Sequence, residues 1–283
     1  MFLPTTTREV EARGWDELDV IIFSGDAYID HPAFGPAVIG RILEAEGYRV
    51  AIVPQPNWRD DLRDFKKLGK PRLFFAVTAG AMDSMVNHYT ANLRLRSNDA
   101  YTPGGKAGFR PDRTVDTYTK ILKRLYPHTP VVVGGIEASL RRLTHYDYWS
   151  NKLQQSILLT SGADLLIYGM GDKVIREVAK AMRNGFNLKL LRGLRQVGFV
   201  ADREYVERLF SGKAIVLNSF EECEDDKRKF GENFCHIEQL SNMMECNTTL
   251  VEQVDDRYVV ITPPHETLTT EELDHSFDLP YER

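Results

Sequence analysis

The sequence predicts an α/β fold in which a doubly wound, mainly parallel sheet carries helices on both faces. Three observations support that expectation. Short apolar runs alternate with helical stripes up to about residue 190, four of five such runs end in a glycine-bearing turn, and the run Pro-Val-Val-Val-Gly-Gly-Ile-Glu-Ala-Ser at 130–139 has no polar alternation in its strand portion. Strands buried on both sides read as unbroken β-branched runs, and their alternation with helices is the pattern of right-handed crossovers.

The first strand, at 18–24, runs into Gly25-Asp26-Ala-Tyr28-Ile-Asp30-His31-Pro-Ala-Phe-Gly35. Pro36 suits the first turn of the next helix, Ile39, Ile42 and Leu43 give its apolar stripe, and Gly47 fits just past its end. Strands at 49–54 and 72–78 follow, the latter ending in Ala79-Gly80-Ala81. A helix bearing Val115, Tyr118, Ile121, Leu122 and Leu125 starts after Asp112, stops before Pro127 and feeds the strand at 131–133. The spacing of Trp149, Leu153, Ile157 and Leu158 predicts another amphipathic helix before a fifth strand at 164–168. That strand ends in Gly169-Met-Gly171, with Asp172 placed to cap a helix bearing Val174, Ile175, Val178 and Met182.

Beyond residue 190 the pattern changes, dividing the chain into a parallel-sheet domain at 1–190 and an α+β extension at 191–283. Strands are expected at 193–201 and 213–220 with a short helix at 202–210, then a long helix bearing Phe230, Phe234, Ile237 and Met244. Runs at 249–254 and 257–262 alternate around Asp255-Asp256 as a hairpin, and Thr269-Thr-Glu-Glu272 is a capping box. Asp278 to Arg283 form no terminal element, as expected of a chain that continues.

Composition narrows the function. Hydrophobic residues are 42% and charged ones 27%, ordinary for a globular protein. With 36 Lys+Arg against 41 Asp+Glu, the formal charge of −5 gives no global attraction to nucleic acid or anionic membrane. No leader or membrane-spanning run is visible, so the cytoplasm is the expected location. The three cysteines, Cys223, Cys235 and Cys246, form no Cys-x-x-Cys pair, so neither a disulfide framework nor a metal site is expected of them.

Ligands of open α/β sheets sit at the carboxyl ends of the strands. In a flavodoxin-like strand order the loop with Gly25, Asp26, Tyr28, Asp30 and His31 faces Thr78, Gly80 and Asp83 across the switch point. Gly134, Gly135 and Glu137 form a further wall, and Gly169 and Gly171 complete the glycine-tipped rim. A plainer reading of Asp30 and His31 is that they cap the next helix and bond each other. The long segment 87–113 carries Arg94, Arg96, Lys106, Arg110 and Arg113 without helical or strand periodicity, and loops of that length usually cover a site or meet a partner.

Familiar motifs fail on inspection. Gly104-Gly-Lys106 is followed by Ala107 rather than Ser or Thr, so it is no phosphate loop, and Gly169-x-Gly171 has Val174 where a dinucleotide fingerprint needs glycine. No Gly-x-Ser-x-Gly elbow or His-Glu-x-x-His pair supports a hydrolase.

Several longer stretches resemble one family. Ser-Gly-Asp-Ala-Tyr-Ile-Asp-His-Pro-Ala-Phe-Gly (24–35), Tyr-Thr-Pro-Gly-Gly-Lys-Ala-Gly-Phe-Arg-Pro-Asp-Arg (101–113), Gly-Gly-Ile-Glu-Ala-Ser-Leu-Arg-Arg (134–142), Asp-Tyr-Trp-Ser (147–150) and Ala-Asp-Leu-Leu-Ile-Tyr-Gly-Met-Gly-Asp (163–172) are similar to the N-terminal region of YgiQ-type radical S-adenosylmethionine (SAM) proteins. The strand-glycine units more distantly resemble cobalamin-binding domains. The resemblance implies a Rossmann-like accessory domain, with a [4Fe-4S] cluster and SAM held by a radical SAM domain beyond Arg283. The family's Cys-x-x-x-Cys-x-x-Cys motif is absent here, so no cofactor is assigned within this chain. Cobalamin remains a further ligand under this resemblance, although Asp30-His31-Pro-Ala-Phe-Gly35 departs from the Asp-x-His-x-x-Gly cobalt-ligand signature.

The expected function is therefore an accessory ligand-binding or scaffold domain whose partner is the radical SAM domain of the same protein. The Arg-rich loop would meet that domain or an anionic ligand. The competing expectation is a stand-alone enzyme or binding module for a small anionic metabolite, with Asp30 or His31 as acid-base and the arginines of 94–113 as clamp.

Overall fold

The computed structural model describes residues 1–209 and 214–282. Its centre is a run of five parallel strands, β1 (Val20–Ser24), β2 (Val50–Pro54), β3 (Phe74–Thr78), β4 (Val131–Val133) and the later β7 (Leu165–Ile167). The complete sheet has the order β2-β1-β3-β4-β7-β8-β11-β10-β9, where β8 is Val197–Ala201, β9 Ala214–Val216, β10 Thr249–Val254 and β11 Arg257–Ile261. β8 lies antiparallel to β7, so the sheet runs on across the boundary drawn at residue 190. The helix end expected at 210 and the strand start at Lys213 lie outside the described residues.

Alternate side chains of each strand enter two cores. Ile22, Ile52, Phe74, Val132 and Ile167 pack on one face with α2 (Gly35–Ala45) and α8 (Asp172–Arg183). Ile21, Phe23, Phe75, Val133 and Leu166 pack on the other with α5 (Thr114–Leu125) and α7 (Ile157–Ser161). Burial on both faces explains the unbroken apolar runs. The remaining helices are α1 (Thr7–Ala12), α3 (Arg63–Lys66), α4 (Ser84–His88), α6 (Gly135–Leu140), α9 (Arg203–Leu209), α10 (Phe220–Asp225), α11 (Lys227–Ser241) and α12 (Thr270–Phe277). The capping box that opens α12 is formed as expected, Thr269 and Glu272 each accepting from the other's amide.

Three expectations are corrected. The helix expected over 149–158 is instead an antiparallel ribbon of β5 (His145–Asp147) and β6 (Lys152–Gln154) followed by α7. Asp147 accepts the Ser150 amide at 3.1 Å and Asn151 takes φ 52°, so turn chemistry overrides the apolar spacing. Asp172 is the first helical residue of α8, and Gly171 occupies the cap without a side-chain bond. The segment 87–113 is not an open loop: it folds back through bridges Tyr89–Leu95 and Asn98–Lys106 and ends with Arg110 fully buried.

Candidate functional site

β1 pairs with both β2 and β3, so the strand order reverses between β1 and β3, the topology that opens a crevice at the carboxyl ends. Here that point is filled from within. The Arg110 guanidinium lies 2.7 Å from Asp26, donates to Asp99 at 3.0 Å and to the Ala79 carbonyl at 3.1 Å. Asp26 also accepts the Ala81 amide at 2.6 Å, and its carboxyl packs so tightly on Gly80, at φ 107°, that no side chain fits there. Burial pushes the Asp26 carboxyl above its ordinary range, against the pull of Arg110. For Asp99 burial also pushes upward, but the Tyr101 amide and Arg110 outweigh it and hold the carboxyl low. Gly25 extends β1 by donating its amide to the Thr78 carbonyl at 3.1 Å.

The other acidic candidates are likewise committed to partners. Glu137 is fully buried and accepts from the amides of Ser84 at 3.0 Å and Val115 at 2.8 Å, joining the N-termini of α4 and α5. Carboxylates suit those positive helix ends. Burial nevertheless raises the Glu137 carboxyl, with Arg141 opposing. Asp83 caps α4 through the Met85 and Val86 amides and pairs with Arg141. Asp30 forms a buried ion pair with Arg41 of α2 and accepts the Glu282 amide at 3.0 Å. It does not pair with His31, whose Nδ1 accepts the Ala33 amide at 3.1 Å within its own turn. The Tyr28 hydroxyl accepts from the Leu3 amide at 3.2 Å, and burial raises its pKa.

An open cavity of about 340 Å³ lies beside this plug, on the face of α2 and α8. Thr78, Gly80, Gly134, Gly135, Gly169 and Gly171 border it, as expected of the strand tips, whereas Gly25, Asp26, Tyr28, Asp30, His31, Asp83 and Glu137 do not. Gly135, at φ 82°, brings bare backbone against Thr78, where an added Cβ would sit 2.5 Å from Oγ1. The walls are Ile22, Ile39, Val132, Ile167 and Ile175, and Leu273, Ser276 and Phe277 of α12 form the roof.

The model of the family described as radical SAM N-terminal matches residues 2–283. The chain belongs to that family. It is 58% identical over 291 residues to a UPF0313 protein of Bacteroides thetaiotaomicron, covering all of this chain and 47% of the relative. A UPF0313 protein of Porphyromonas gingivalis is 57% identical over 289 residues, with 44% of its length covered, and one of Thermotoga neapolitana 46% over 283 residues, with 48% covered. The chain thus spans a little under half the length of these curated relatives. No solved structure matches.

The resemblance implies a [4Fe-4S] cluster and SAM held by a radical SAM domain outside this chain. The residues of this N-terminal domain do not fit the cluster: no group of three or more His, Cys, Asp or Glu able to hold a metal occurs among the described residues, and all three cysteines are free. No described helix is long and apolar enough to cross a membrane.

Sequence reasoning missed two contributors to the site. Gln196, at φ 61°, donates to the carbonyls of Tyr168 and Met170 at 2.6 and 2.7 Å and fixes the loop that carries Gly169 and Gly171. Ser276 of α12 donates to buried Asp172 at 3.1 Å, tying the roof to α8. Both contacts link residues far apart in the chain, and no local spacing signals them.

Proposed function

We propose that this chain is the accessory half of a YgiQ-type radical SAM enzyme, its strand tips seated against a second half that holds the cluster. The placement of exposed apolar side chains supports this most. Val86 on α4, Ile136 and Leu140 on α6, Tyr146 and Tyr148 of the ribbon, and Met170 after β7 all lie on segments that follow β3, β4 or β7, with Leu140 56% and Met170 59% exposed. These segments stand at the tips of neighbouring strands, where exposed apolar surface suits contact with a partner. The second half of the relatives' length is the occupant that accounts for it.

In that assembly the cluster and SAM supply radical chemistry, and the residues of this chain cover the reaction centre and exclude water. Glu137, Asp83 and Arg141 keep α4, α5 and α6 in fixed relation, which gives the face its shape. Residues 1–190 form the parallel-sheet unit and 191–283 the extension in this reading. The cavity offers cobalamin no histidine ligand among its described lining residues, and His31 is turned into its own loop. Of the arginines that an enzyme for an anionic metabolite would use as clamp, Arg110 is bound to Asp26 and Asp99 and Arg113 to Asp147, whereas Arg94 and Arg96 are exposed.

The full-length protein, reconstituted anaerobically, is expected to bind a [4Fe-4S] cluster and to protect α6 from hydrogen exchange relative to the 283-residue chain alone. Leu140→Asp should reduce that protection while leaving cluster content unchanged. Absence of a cluster, or equal exchange at α6 in both proteins, would overturn the proposal.

A further inference from the structure

The cavity beneath α12 has a chemistry that the accessory-domain reading does not use. Its walls are aliphatic, and Gly134, Gly135, Gly169 and Gly171 leave peptide planes bare along one side. The cavity is open to the surface and about 340 Å³ in volume. It falls within the roughly 300–1,000 Å³ of small-molecule pockets. Flat peptide surfaces and aliphatic walls suit an aromatic ring better than a hydrated group.

The polar complement is narrow. Among the described lining residues there is no Lys, Arg or His, and the carboxylate is Asp172, held in the first turn of α8 where the helix end favours its charge. Thr78 and Ser276 add hydroxyls. With Asp172 as the charged side chain among the described lining residues, the cavity accepts a hydrogen-bond donor. The roof is built to yield: α12 has eight residues, Leu273 and Phe277 are 36% and 48% exposed, and its ties to α8 include the Ser276–Asp172 bond and a Lys173–Glu272 ion pair at the surface.

We infer that this cavity binds a small uncharged aromatic molecule bearing an N–H or O–H donor. The ring lies against the glycine peptides, the donor takes the Asp172 carboxylate in place of Ser276, and α12 moves aside to admit it. The inference stands on this chain's cavity alone and does not depend on the cluster-bearing half.

N-phenyl-1-naphthylamine is a suitable probe, being neutral, aromatic and equipped with one N–H, with fluorescence that rises in apolar surroundings. Titrated into the 283-residue chain, it should give saturable 1:1 binding. Ser276→Ala, which removes the competing donor, should tighten the Kd about three- to tenfold, the range of a modest hydrogen bond. Ile39→Trp on α2 and Ile175→Trp on α8 narrow the cavity from two different helices, and each should weaken binding at least tenfold while circular dichroism and thermal melting report a folded chain. Absence of saturable binding to both wild type and Ser276→Ala would overturn the inference. So would unchanged affinity in whichever tryptophan variant remains folded. If both tryptophan variants unfold, Asp172→Asn decides: loss of the Ser276→Ala gain in the double variant supports the assignment, and its persistence refutes it.

Discussion

Glu252 on β10 is 1% exposed and accepts the Thr144 amide at 2.9 Å. Burial lifts its pKa from 4.5 to about 7, more than that amide can offset. The folded protein therefore keeps a proton on Glu252 up to about pH 7, whereas the unfolded chain releases it near 4.5. A carboxyl raised in this way favours the folded state below its unfolded pKa, and that contribution is lost as pH rises through the folded value. At about 1.4 kcal/mol per pKa unit, the loss between pH 4.5 and 7 is about 3 kcal/mol. Glu252→Gln can still accept the Thr144 amide and has no charge to bury. Urea denaturation followed by tryptophan fluorescence should find the variant close to wild type near pH 4.5 and up to about 3 kcal/mol more stable at pH 8. Comparing the two proteins at each pH cancels every other titrating group. A stability difference that stays constant from pH 4.5 to 8 would refute the reasoning.

Arg110→Met leaves Asp26 and Asp99 as uncompensated buried carboxylates and should cost about 3–5 kcal/mol at pH 7, less near pH 4 as they take up protons; chemical denaturation at the two pH values checks this. Gly135→Ala should cost at least about 1–2 kcal/mol for the left-handed backbone alone. Thr78→Ala in the same chain should recover the part due to the 2.5 Å contact, so thermal melts of the single and double variants separate the two effects. Asp30→Asn weakens the anchor of the chain's final residues; with a charge-assisted hydrogen bond worth about 1.5–3 kcal/mol, amide exchange at Glu282 should quicken about tenfold or more, and unchanged exchange would show the tail is held elsewhere.

The central sheet was legible because burial on two faces writes itself into consecutive residues such as Val131 to Val133. The glycines at the tips were legible for a similar reason, since Gly135 answers a backbone requirement set by its immediate neighbours. The partners of the acids left no such local mark. Asp26, Asp30 and Glu137 stand at the carboxyl ends of strands, yet removal from water obliges each to find a cation or a helix amide. Those partners lie 84, 11 and 22 residues away, distances over which spacing carries no information. The ribbon at 145–154 is set by the turn residues Asp147, Ser150 and Asn151, whose chemistry outweighs the apolar spacing of Trp149 and Leu153.

The antiparallel join of β7 to β8 bears on how this molecule can be dissected. Cutting the chain after residue 190 would strip the hydrogen-bonding partner from Leu166 and Ile167 and turn an interior strand into a bare rim. Rims of that kind template pairing with other copies, so such a fragment should clump rather than behave as a smaller soluble unit. A workable minimal piece retains the chain at least to Ile261, where β11 shields β8 in its turn.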